Sequence, residues 1–395
     1  MSPPKANFIS VRDARRLARW VLPPVVFDYI DGGADDETTL RRNEAAFADV
    51  MFRPRMPVDL GTPQLATTVL GTAVSMPVLL APCGLVRLIH PDSGSGAARA
   101  ARSRGTVSLL STGAGSPVEE VAGAAPGAVW FQLYAFGGRQ DAERLIRRAG
   151  DAGVEVLVVT VDTPAVGNRE RDKRHGVAPP LRLTPRNVLR FGPQVLARPI
   201  WAGRMTAETA RVIRRVGPMR ILTHDIFTMS TSPFSWADIE WIRGRWPGKL
   251  VVKGLLTAGD AVLAAECGAD AVVVSNHGGR QLDGVRASIE ALPDIVAGVG
   301  GDTEVLLDGG VRRGTDVLKA VALGARAVLI GRPYLWGLAI AGQPGVERVL
   351  DVLRAEMLRS MTLLGCPSIA ELGPEWICPA ATPGSPDVAG SHLMR

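Results

Sequence analysis

The stretch "SNHGGRQLDG" (275–284) sets His277, Arg280, Gln281 and Asp283 around paired glycines, directly after the apolar run "ADAVVV". An imidazole, a guanidinium and a carboxylate at the end of a buried strand can move a proton and hold an anion. A lone histidine is usually structural, and this is one of only five in the chain. Its setting shifts the balance: a glycine-flanked loop, Arg280 beside it, and Asp162 within reach if both strands open on one rim. A carboxylate near an imidazole raises its pKa and fixes its orientation, which suits a general base. Arg169 and Arg280 add fork-shaped, permanently charged donors that match a small carboxylate. A surface ion pair is the commoner fate of an arginine, yet two beside one base favour an anionic substrate.

Further along, "VLLDGGVRRGTD" (305–316) and "VLIGRP" (328–333) place glycines and arginines after two successive apolar runs. Backbone N–H groups, a helix start and a cation in such loops make a phosphate site. Lys253, ending the apolar "LVVK", can stabilise negative charge on a bound cofactor, rather than merely snorkel at an edge. No His/Cys cluster has metal-ligand spacing, and neither G-x-S-x-G nor a Walker loop is present. The chemistry read so far is a phosphorylated cofactor, a base and an anion clamp, with the cofactor unnamed.

These residues need a scaffold that brings them together from positions two hundred apart. Short continuous apolar runs (77–82, 107–112, 130–134, 156–164, 250–254, 272–279, 304–310 and 327–333) alternate with amphipathic helical segments. Unbroken apolar runs indicate parallel strands buried on both faces. Eight strand–helix units predict an α/β chain folded as a closed (β/α)8 TIM barrel. Each run turns polar only at its end: Gln132 and Tyr134, Thr160 and Asp162, Lys253, Ser275 to Asp283, Asp308, Arg332. A barrel gathers those ends on one rim. The expected organisation is an N-terminal extension (1–76), the barrel (77–373) with a basic insert or lid (177–234) after strand four, and a disordered tail (374–395).

The chain of 395 residues carries a net charge of +6, and much of the excess is local. Twelve Lys or Arg against Asp172 and Glu208 fall between Arg171 and Arg220. The plain reading is a solvated excursion; the sharper one is a platform for anionic lipid. Without an aromatic ladder or a nucleic-acid motif, nucleic acid is set aside. Four scattered cysteines fit reduced thiols. The absence of an eighteen-residue apolar run and of a secretory leader leads to the expectation of a cytoplasmic protein. A peripheral seat at the inner face of the membrane is the option the insert leaves open.

Together, "SNHGGRQLDG", "LDGGVRRGTDVLKAVALGA", "IGRP", "WFQLY", "TVDTP" and "FDYIDGGADDE" resemble the FMN-dependent 2-hydroxy acid oxidases and dehydrogenases, from roughly Phe8 to Gly373. The resemblance implies FMN as cofactor and oxidation of an (S)-2-hydroxy acid to the 2-oxo acid. It implies His277 as the base paired with Asp162, a carboxylate held by Tyr29, Arg169 and Arg280, and a substrate hydroxyl bonded to Tyr134. Lys253 would sit at the flavin N1–C2=O edge. Ser111, Gln132, Thr160 and Ser275, with backbone from Ala81, Pro82, Cys83 and Gly84, would take the ring and ribityl chain. Asp308 would meet the ribityl; Gly309, Gly310, Arg312, Gly331 and Arg332 would lie at the phosphate. It further implies O2 or a quinone as electron acceptor and a homotetramer.

Cys83 stands where many relatives carry Thr, Gly84 where the oxidases usually carry Ala, and Gly113 where glycolate oxidases carry Trp. Losing both bulks enlarges the pocket, towards a mandelate-like aryl acid or L-lactate. Gly84 also leans towards a dehydrogenase. The competing readings are an FMN-barrel isomerase of a diphosphate, which needs no carboxylate clamp, and a silent flavin-binding paralogue.

Overall fold

The computed structural model describes residues 6–56, 61–176, 185–216 and 233–380. Eight parallel strands close into a barrel: β1 (Val78–Leu80), β2 (Ser108–Ser111), β3 (Val129–Leu133), β4 (Val156–Thr160), β5 (Lys249–Leu255), β6 (Ala271–Val274), β7 (Glu304–Asp308) and β8 (Ala327–Ile330). Each pairs with its sequence neighbour, and β8 returns to β1 through Val328–Val78, Leu329–Leu79 and Ile330–Leu80. The expected (β/α)8 barrel is the observed fold.

Alternation along each strand decides what fills the barrel. Leu79, Leu109, Trp130, Val158, Val251, Val273, Leu306 and Leu329 form one buried interior cluster. Two residues on, the same inward face carries Ala81, Ser111, Gln132, Thr160, Lys253, Ser275, Asp308 and Gly331. The interior is therefore apolar up to its last layer and polar there. At the opposite end the hairpin Thr67–Val69/Thr72–Val74 closes the barrel: Val69, Leu70 and Val74 join the interior cluster, and Leu70 N donates to Glu304 Oε2 at 3.0 Å.

The N-terminal extension supplies α1 (Val11–Val21), α2 (Pro24–Asp31) and α3 (Thr38–Ala45). Ser10 caps α1 by accepting from Asp13 N, and Val11, Ala14, Ala18 and Val21 turn a helical stripe inward. After β4 come α4 (Glu170–Arg174), α5 (Pro185–Leu196) and α6 (Pro199–Val216). Two further helices, α7 (Arg332–Ala341) and α8 (Gln343–Leu364), follow β8.

The described part of the insert packs on the α1–α2 junction, the stretch after β1 and the end of α7. Gln194 Oε1 accepts from Val25 N, Arg198 Nε donates to Leu22 O, Trp201 Nε1 donates to Leu88 O, and Arg204 caps the carbonyls of Ala339 and Ile340 at the end of α7. The rest of the expected lid, 177–184 and 217–232, lies outside the described residues. The tail expected to be disordered from 374 begins instead as structure: Ile377–Pro379 pairs antiparallel with Val50–Phe52, and Trp376 is buried under Arg55. Residues 381–395 lie outside the described ones.

Candidate active site

A cavity of about 410 Å³ opens at the C-terminal rim, lined among others by Tyr29, Tyr134, Arg169, Lys253, His277 and Arg280. His277 reaches it through a left-handed turn, with φ of 58°, 64° and 71° at His277, Gly278 and Gly279. A non-glycine residue there is strained, and such strain persists only where surroundings over-determine it. Here Ser275 Oγ accepts from His277 N, and Asn276 Oδ1 accepts from Gly279 N while Asn276 and Asn43 exchange amide bonds at 2.8 Å.

His277 Nδ1 lies 2.9 Å from Asp162 Oδ1. Burial alone would raise the Asp162 carboxyl, but the facing His277 and Lys253 charges hold it below its ordinary range. The close fit depends on Gly254, whose φ is 110° and whose added Cβ would stand 2.8 Å from Asp162 Cγ. That glycine marks a bulge between Lys253 and Leu255, the kind of irregularity that re-aims side chains at barrel rims.

Lys253 is buried with Nζ 2.8 Å from Asp308 Oδ2 and 2.8 Å from Ser275 Oγ. Burial would lower its pKa; the Asp308 and Asp162 carboxylates reverse the sign and raise it. On the other side, Arg280 donates to the carbonyls of Tyr29 (2.6 Å) and Gly32 (2.9 Å), with its guanidinium 5.0 Å from the Tyr29 ring centre. Burial beside Arg280 pulls the Arg169 guanidinium down to about 10. Burial and the Asp162 charge push the Tyr134 phenol up, while Phe136 stacks on its ring at 5.1 Å. Gly84 and Gly113 face each other: a Cβ on Gly84 would come within 3.1 Å of the Tyr29 hydroxyl, and one on Gly113 within 3.9 Å of Gly84 Cα.

The fit to FMN rests on groups that seek partners. Gln132 Nε2, Thr160 Oγ1 and Asp308 Oδ1 are buried without a hydrogen-bond partner among the described residues. Such atoms cost stability unless a ligand satisfies them. At the far end, Gly309 and Gly310 hold φ of 95° and 84°, and Arg312 and Arg332 converge. Burial with Arg280 and Arg312 alongside pulls Arg332 down to about 9, a crowding of cations that an anion would relieve. Arg332 already donates to Ile30 O, Gly278 O and Gly32 O, and Arg312 to Glu44 at 2.8 Å, so neither guanidinium is devoted wholly to a phosphate.

Part of "SNHGGRQLDG" is spent on bracing: Gln281 lines the cavity but its amide is committed to the 162–167 loop. Gln281 Nε2 donates to the carbonyls of Asp162 and Ala165, and its Oε1 accepts from Gly167 N. Asp283 accepts from Thr38 N and Thr39 N, capping α3. Phe136, Val166 and Leu85 line the cavity without having been singled out in the sequence. Only the "LY-A-F" spacing, two beyond Tyr134, signals Phe136.

A (β/α)8 barrel whose cavity joins a polar last layer, a basic far end and an imidazole backed by Asp162 defines a flavin-binding oxidoreductase class. The family model described as FMN-dependent dehydrogenase matches residues 18–379. Glycolate oxidase 5 of Oryza sativa subsp. japonica is 43% identical over 366 residues, covering 92% of this chain and 94% of that protein. The L-lactate oxidase of Nostoc sp. is 42% identical, covering 92% and 96%. The solved structure of the monotopic membrane protein (S)-mandelate dehydrogenase superposes with a TM-score of 0.84 at 35% identity, covering 95% of this chain and all (100%) of that one. The chain belongs to the FMN-dependent dehydrogenase family and is an FMN-dependent 2-hydroxy acid oxidoreductase. These relatives all act on hydroxy acids by name, so the isomerase and the silent paralogue gain no support.

Proposed function

We propose that the enzyme oxidises an (S)-2-hydroxy acid larger than glycolate, mandelate-like or L-lactate, to the 2-oxo acid. The observation that carries this is His277, backed by Asp162, sharing with Arg169, Arg280 and Tyr29 one cavity that Gly84 and Gly113 leave open. Tyr29, Arg169 and Arg280 hold the carboxylate, and Tyr134 bonds the hydroxyl. His277 Nε2 takes one of the two protons the substrate loses, and Asp162 keeps the Nδ1 proton in place and stabilises the imidazolium. FMN, when bound, would accept the two electrons together with the second proton, which completes the conversion of the alcohol to the carbonyl. Lys253 would supply positive charge beside FMN. Ser111, Gln132, Thr160, Ser275 and the Ala81–Gly84 backbone would hold the ring and ribityl chain; Asp308 would meet the ribityl, and Gly309, Gly310, Arg312, Gly331 and Arg332 would take the phosphate. Leu85, Phe136 and Val166 add the apolar wall an aryl group needs.

Anaerobic mixing with (S)-mandelate and with L-lactate tests the assignment. Fast loss of flavin absorbance with one of them selects the substrate; no loss with either sinks the enlarged-pocket argument. Readmitted air restores the colour quickly in an oxidase and slowly in the dehydrogenase favoured here, whose acceptor is then a quinone.

The second part of the proposal is a peripheral seat on anionic membrane through the insert, in a homotetramer. Among the described residues, no helix is long and apolar enough to cross a membrane. Leu189 and Leu196, seven apart on α5, are each 80% exposed, and Trp20 on neighbouring α1 is 76% exposed. Apolar side chains amid arginines favour interfacial binding. Leu189→Ser with Leu196→Ser is expected to abolish co-sedimentation with phosphatidylglycerol vesicles; unchanged sedimentation counts against the seat.

A further inference from the structure

Tyr29 and Arg169 belong to elements far apart in the chain, α2 and the start of α4, so their spacing must be set by something that spans both. Arg171 does. It lies two residues beyond Arg169 and does not line the cavity. Its guanidinium turns back onto α2: Nη1 lies 3.1 Å from Asp31 Oδ2 and 3.7 Å from Asp28 Oδ1, and Nη2 donates to Glu37 Oε2. Asp28 and Asp31 bracket Tyr29 in the sequence, on the same helix.

The latch is built on both sides. Asp31 is only 3% exposed and takes Arg15 in a bidentate pair at 2.6 and 2.7 Å. The other oxygen of Glu37 accepts from Gly33 N at 2.9 Å. Gly32 keeps the path clear, since a Cβ there would stand 3.2 Å from Arg171 Cδ and 2.8 Å from Asp28 O. At the far end of α4, His175 Nε2 pairs with Asp28 Oδ2 at 2.7 Å. On the cavity side the last carbonyls of α2 are held by Arg280 and Arg332.

We infer that Arg171 is a positioning residue: its hold on Asp28, Asp31 and Glu37 fixes the distance between Tyr29 and Arg169, and so the fit of the carboxylate clamp. The inference rests on the reading of Tyr29, Arg169 and Arg280 as that clamp. Bidentate and branched guanidinium contacts carry geometric information that a methionine of similar length lacks. Asp31 keeps Arg15 when Arg171 is lost, so the fold survives while α2 gains freedom relative to α4.

The test is R171M and R171K in the FMN-loaded enzyme, with R280M as reference. R171M is expected to raise KM for the 2-hydroxy acid about tenfold with kcat within about twofold, the pattern of lost uniform binding. FMN content should stay that of the parent, and the Kd of the 2-oxo acid, read from the visible spectrum, should rise in parallel. R171K should recover part of the loss. Unchanged KM, or a fall in kcat at constant KM, overturns the inference. If R280M leaves KM unchanged, the clamp reading itself fails; if R280M raises KM and R171M does not, only the latch fails. Should R171M not fold, E37Q weakens the same latch: a KM about threefold higher supports it and an unchanged KM overturns it.

Discussion

Replacing His277 by Gln is expected to lower kcat by roughly 10²–10⁴-fold, the contribution of a positioned general base. Glutamine fills a similar volume and can still donate an amide hydrogen to Asp162 Oδ1, 2.9 Å from Nδ1 in the parent. It cannot take a proton. KM should move little, because Tyr29 and Arg169 come from other segments and Arg280, on the same loop, is fixed by the carbonyls of Tyr29 and Gly32 rather than by His277. FMN content should also hold, since the buried groups that fit FMN, Gln132 Nε2, Thr160 Oγ1 and Asp308 Oδ1, are left in place. Asp162 will respond: with the His277 charge gone, burial is opposed mainly by Lys253, and its carboxyl rises towards the ordinary range. Anaerobic single-turnover reduction reads the loss directly. A rate within about threefold of the parent would remove His277 from the base role.

Much of this site was legible because barrel geometry converts strand parity into location. Once β3, β4, β5 and β7 are read as buried strands, Gln132, Thr160, Lys253 and Asp308 must share the last inward layer, since each follows an apolar inward residue by two. The His277 loop was legible for a different reason: paired glycines after a strand imply a left-handed turn, which is what Gly278 and Gly279 adopt.

What escaped depends on contacts between segments of unrelated spacing. Nothing in "RQLDG" says that Gln281 braces the 162–167 loop or that Asp283 caps α3, because both partners lie over a hundred residues away. The same holds for Asn43 with Asn276 and for Arg171 with α2. Arg332 sits at the loop where a phosphate was expected, yet much of its donor capacity secures α2 and the Gly278 turn. The tail boundary at 374 falls too early: Trp376 and Ile377 are buried and the strand they lead finds its partner at Val50–Phe52. An edge partner three hundred residues upstream leaves no local trace.

Lys253→Met should be the most destabilising single change at the site, at about 3–5 kcal/mol, because removing one partner strands a buried charge. Asp308 would lose the ammonium at 2.8 Å, and Asp162 one of the two cations that hold its carboxyl low. Methionine nearly matches the aliphatic volume, so the loss reports charge rather than a cavity. The pH dependence follows from the raised Lys253 pKa. A group whose folded value lies above its unfolded value stabilises fully below the unfolded value, here near 10.5, and loses that contribution as pH rises through the folded one. The gap between parent and variant should therefore be full at neutral pH and shrink only above about pH 10.5. Urea midpoints of the FMN-free proteins measure it without recourse to turnover. Asp308→Asn alone should also be costly, since it leaves Lys253 with Asp162 as its remaining nearby carboxylate. The double variant should cost less than the sum, because each partner's penalty is largely the stranding of the other. Additive losses, or a K253M midpoint equal to that of the parent, would mean that the pair adds nothing to the fold, and that Lys253 is held there by chemistry alone.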